Sequence, residues 1–241
     1  TTRGSGGSCG RERSKLASRT RNSTIPPLVV ALLLVAVASF AQDAPTRSAL
    51  RQRGDETTED TRDDGAARPT ARFLLGAAAG LGLHESGHVL FGGLLGVRPT
   101  LKKVDFGGIP FFAITPPAGL PPRRQFTITS AGFWMQHLSS EIILTRHAHL
   151  RSERAPARKG LLAFNVLASV AYGAAAMAKA GPVERDTRAM ASALGMNEAW
   201  AGGLVLAPAG LDAWRYFHPE ARWAKWVSRG VKIGIVLLVV R

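Results

Sequence analysis

Phe73 to Pro99 reads FLLGAAAGLGLHESGHVLFGGLLGVRP, and the architecture depends on what this stretch is. Its residues are almost all apolar or glycine, and at 1.5 Å rise per residue a helix of about 20 such residues crosses a hydrocarbon core of roughly 30 Å. His84, Glu85 and His88 interrupt the apolar run. Strongly polar groups inside a lipid-spanning helix cost on the order of 3 kcal/mol each, so three together call for a shared purpose. His84-Glu85-Ser86-Gly87-His88 is an H-E-x-x-H pattern, whose histidines at i and i+4 leave the same helix face one turn apart. Two imidazoles so spaced can each offer a nitrogen to a zinc ion at about 2.0 to 2.1 Å. Glu85 is then the candidate general base for a zinc-bound water. Gly80, Gly82, Gly87, Gly92 and Gly93 leave little bulk around the motif, which suits close helix packing or the approach of a substrate backbone.

Similar composition recurs along the chain. Residues 71–97, 126–146, 159–180 and 198–217 are apolar stretches long enough to span, and 226–241 is a shorter, tilted or interfacial one. Trp200, Trp214, Trp223 and Trp226 bracket the last two, as aromatic anchors at head-group level do. The expected fold class is all-α, with residues 71–241 forming a polytopic transmembrane helix bundle. Residues 101–122, LKKVDFGGIPFFAITPPAGLPP, alternate apolar side chains before a proline cluster, so a re-entrant or hairpin-like strand segment is expected there. One edge of it could pair with an unwound substrate strand, or the segment could be a plain connecting loop. Residues 1–41 carry a basic tail and the apolar run Leu28–Phe40, the pattern of a signal peptide or a first transmembrane segment. Residues 42–70 are polar enough to be a disordered linker.

The net charge of +14 invites a nucleic-acid reading, but the basic residues lie between apolar blocks without interleaved aromatics. Juxtamembrane charge against anionic lipid explains them better. The expected partners are therefore the lipid bilayer and a membrane-protein substrate, not nucleic acid, and the expected location is multi-pass in a bacterial-type plasma membrane. Four crossings would leave the basic 146–160 loop outside, against the preference of positive charge for the cytoplasm, and a half-crossing at 126–146 would reconcile the two. Cys9 is the only cysteine, so helix packing rather than an internal disulfide must hold the fold.

A catalytic zinc keeps three protein ligands and one open position. Asp212, in LAPAGLDAWRYF, is the leading third ligand, because Pro208 and Gly210 can loosen its helix; the competing reading is an interfacial Asp beside Trp214 and Arg215. Glu141, in FWMQHLSSEIIL, is the alternative ligand. Asn165 could orient a peptide carbonyl or hydrogen-bond between helices. His147, His149 and His218 read as surface residues, and Val183 to Asn197 as a short surface helix terminated by Gly195, with no chemistry assigned to it.

With HESGH followed downstream by GLDAW, the chain resembles the site-2 protease family of intramembrane zinc metallopeptidases. VLFGGLLGVRP also resembles that family's continuation into a membrane-dipping, strand-like segment. The resemblance spans about residues 71–217 and implies that His84, His88 and Asp212 bind Zn2+ while Glu85 activates water. Ala213 replaces the family's glycine after the aspartate, and SAGFWMQHL lacks the proline of its Gly-Pro-x-x-Asn segment. The function so implied is a zinc metalloendopeptidase cutting a peptide bond in or near a membrane-spanning substrate. The other reading is a non-catalytic zinc-binding membrane protein, a structural or partner-docking module, in which protein groups fill every position on the metal.

Overall fold

The computed structural model describes residues 64–106 and 109–240; the signal peptide or first span expected at 1–41, and the expected linker up to residue 63, lie outside them. The chain order is α1 (Asp64–Leu94), β1 (Thr100–Phe106), β2 (Ile109–Thr115), α2 (Pro122–Arg146), α3 (Pro156–Ala178), α4 (Asp186–Leu194), α5 (Glu198–Phe217) and α6 (Arg222–Val240). Among the described residues the fold is thus predominantly helical with one antiparallel hairpin. α1 begins inside the segment expected to be linker, since Ala66, Ala67 and Arg68 are strong helix formers and Pro69 lies near enough to the start to disrupt few backbone bonds.

Local signals set the other boundaries. α2 and α3 each carry proline in the first turn, where its missing N–H costs nothing. α3 stops at Lys179 and α4 at Gly195, both in left-handed backbone at φ 50° and 62°. Asn197 caps α5 by accepting from the Ala199 N–H at 3.1 Å. α2 is one uninterrupted 25-residue helix, so no break marks a half-crossing at 126–146. The strand-like segment is the β1–β2 hairpin, in register from Thr100 opposite Thr115 to Phe106 opposite Ile109.

α1 packs along α3 and α2, α3 lies on α5, α4 sits against α2, and α6 covers α5. Glycine lets the α1 and α3 backbones touch: a Cβ on Gly76 would collide with the Ala157 carbonyl oxygen, and one on Gly160 with that of Phe73. Leu144, Leu162, Val166 and Tyr216 join α2, α3 and α5, while Phe126, Phe133, Met190 and Val205 join α2, α4 and α5. Polar stitching accompanies this packing. Asn165 donates from Nδ2 to the Gln136 carbonyl and to Ser139 and Ser140 Oγ at 3.1, 2.8 and 2.9 Å, so its part is the helix-to-helix bond. Among the described residues α3, with 23 residues, is the one helix long and apolar enough to cross a membrane.

Candidate metal centre

α1 presents His84 and His88 to the interior, where they are 3% and 2% exposed. His88 Nδ1 donates to the Ile128 carbonyl at 2.7 Å, which turns Nε2 toward the cluster, where loss of its proton would free the lone pair a metal ligand requires. His84 is held by packing. Its ring lies edge-on to Phe133, with centroids 5.1 Å apart, and 6.0 Å from the ring of Tyr172. Behind it α2 passes so closely that a Cβ on Gly132 would be 2.5 Å from His84 Cε1, and one on Gly87 would be 2.6 Å from the Ala131 oxygen. Gly87 of the motif therefore serves helix packing.

The third donor is Asp186, at the start of α4. Its Oδ2 is 3.2 Å from His84 Nε2 and 3.6 Å from His88 Nε2, and the two nitrogens are 3.3 Å apart. Four ligands at zinc distances of 2.0 to 2.1 Å occupy tetrahedron corners about 3.3 to 3.4 Å apart, so this triangle has the dimensions of one face of such a site. Burial favours the neutral form of Asp186, but the charges of His88 and His84 and their hydrogen bonds outweigh it, holding the carboxyl well below the usual carboxylate range. The group can hold a metal ion. Glu85 adjoins His84 and is half-buried, beside the cluster and not within it.

Asp212 does not join this group. Its carboxylate Oδ1 accepts from Lys232 Nζ at 2.7 Å and Ser228 Oγ at 3.2 Å, with Arg215 Nη1 at 3.7 Å. It is a buried carboxylate paired with the ammonium of α6 and the guanidinium one turn along α5, so the structure places Asp186, and not the expected Asp212, beside the two histidines. Glu141 is likewise occupied, by Arg215, Arg229 and Lys232. His147 pairs with Glu153 at 3.0 Å, and His218 stacks on Trp214 with centroids 4.4 Å apart. Asp186 carries no chemical signature in the sequence, because an acidic residue opening a short helix is ordinary: it complements the helix dipole, and neither spacing nor an apolar setting singles it out.

No protein-family model matches this chain, and no curated protein or solved structure is significantly similar to it.

Proposed function

We propose that this chain is an integral membrane zinc metallopeptidase that hydrolyses a peptide bond in or near a membrane-spanning substrate. One observation carries the reading: three donors of the right kinds converge at zinc-ligand spacing, two of them from an H-E-x-x-H helix whose glutamate stands beside them. Among the described residues the group comprises three ligands, the number that a catalytic zinc keeps. A bound zinc would supply Lewis acidity, polarising the scissile carbonyl and acidifying water at the site. His84, His88 and Asp186 would hold it. Glu85 takes the proton from the attacking water and returns it to the leaving amine, a role that suits a carboxylate neither solvated nor sealed.

The distribution of side chains supports a membrane setting. Leu74, Leu75, Val89, Leu90 and Leu94 of α1 and Ile233, Val236 and Leu237 of α6 face outward, while His84, His88, Gln136, His137, Asn165, Asp212 and Lys232 lie inside. Lipid tolerates polar groups where they pair within a bundle, as Asn165 does with Ser140 and Lys232 with Asp212. In this reading α3, the helix whose length and apolarity suit a crossing, spans the bilayer, and an edge of the β1–β2 hairpin aligns the substrate main chain. Glu85→Gln in the purified chain should keep its zinc and lose cleavage of membrane-embedded test substrates by about 100-fold or more. Undiminished cleavage would overturn the assignment.

A further inference from the structure

Asp186 differs from the histidines in what carries it. His84 and His88 belong to a 31-residue helix, whereas Asp186 opens a nine-residue one reached through left-handed backbone at Lys179 and Gly181. A ligand has to be held within about 0.5 Å of its productive position, and a short peripheral helix after an irregular turn does not provide that by itself.

The residues on either side of Asp186 supply the restraint. Arg185 is 7% exposed, and its Nε and Nη2 donate to the two carboxylate oxygens of Glu198 in the first turn of α5. Its Nη1 donates to the carbonyls of Gly181 and Pro182 at 3.2 and 2.8 Å, closing the turn that leads to the ligand. Thr187, fully buried, donates from Oγ1 to the same Glu198 carboxylate at 3.2 Å. Both sequence neighbours of Asp186 are thus tied to one carboxylate, and the planar fork of the guanidinium binds α5 and the turn at once.

We infer that Arg185, Thr187 and Glu198 form a positioning clamp that fixes Asp186 as the third metal ligand, so that metal geometry and affinity depend on it as well as stability. The inference rests on His84, His88 and Asp186 being a metal site. Cobalt(II), whose visible absorption reports ligand number and geometry, is the probe, titrated into the purified full chain in detergent. Wild type should give a tetrahedral-type band that His84→Ala abolishes. Arg185→Lys and Glu198→Gln should weaken cobalt binding about 10- to 100-fold and shift the band toward that of Asp186→Asn. Thr187→Val keeps the ion pair and adds no uncompensated charge, so it should fold with a near-normal thermal midpoint and lose affinity in the same direction by less. Wild-type affinity and spectrum in Thr187→Val and in folded Arg185→Lys, with Asp186→Asn impaired, would overturn the clamp and leave the metal site standing. A wild type that gives no such band, or one indifferent to His84→Ala, would overturn both.

Discussion

A methyl group on Gly132 would lie 2.5 to 2.7 Å from three atoms of the His84 ring, well inside van der Waals contact. Gly132→Ala must therefore displace either the imidazole or α2, although alanine is the better helix former. We expect metal affinity to fall about tenfold or more with helix content unchanged, as a competition titration against a chromophoric chelator would read. Unaltered affinity would mean that the ring has room to retreat. At this scale the sequence was informative in part. The H-E-x-x-H spacing identifies His84 and His88 because two imidazoles one turn apart within an apolar helix are costly unless a shared metal holds them. Asp212 attracted attention on the same ground, as a charge in an apolar setting, but its counter-charge is Lys232, 20 positions later on a helix that only the tertiary fold brings alongside. Asp186 carries no comparable local signal.

Elements were more legible than their roles. Proline at the starts of α2 and α3 and glycine after α4 mark boundaries through fixed local chemistry, and apolar length marks the long helices. The alternation across residues 101–122 points to a re-entrant or hairpin-like segment, and the structure pairs Thr100–Phe106 with Ile109–Thr115 at seven positions, a register the pattern alone does not fix. Which elements meet was not legible, because ligand contacts between α1 and α4 span 102 positions and depend on Arg185 reaching α5. The salt bridge from Lys102 of β1 to Glu184 at 2.7 Å links the hairpin to the segment ahead of Asp186, but with Lys102 57% exposed it adds little stability. The hairpin's task in the proposed reaction is substrate alignment. Phe111→Pro removes a backbone donor from β2, so it should abolish cleavage while zinc content stays at the wild-type level. Cleavage at the normal rate would reject strand pairing with the substrate.

For the whole molecule, the proposed membrane setting rests on outward-facing leucines, valines and tryptophans together with ionisable side chains such as Asp212 and Lys232 held inside. The full chain should therefore stay in the membrane pellet through an alkaline carbonate wash and require detergent for release; release by carbonate alone would contradict the proposed integral-membrane setting. Inside that bundle the two carboxylates in question are paired differently. Asp212 has Lys232 and Ser228 for partners, whereas Asp186 faces two imidazoles. Zinc stoichiometry of the purified full chain, measured by elemental analysis for wild type, Asp186→Asn and Asp212→Asn, tests that distinction most directly. About one zinc per chain is expected in wild type and in Asp212→Asn, and a large loss in Asp186→Asn. Zinc retained by Asp186→Asn and lost from Asp212→Asn would contradict it.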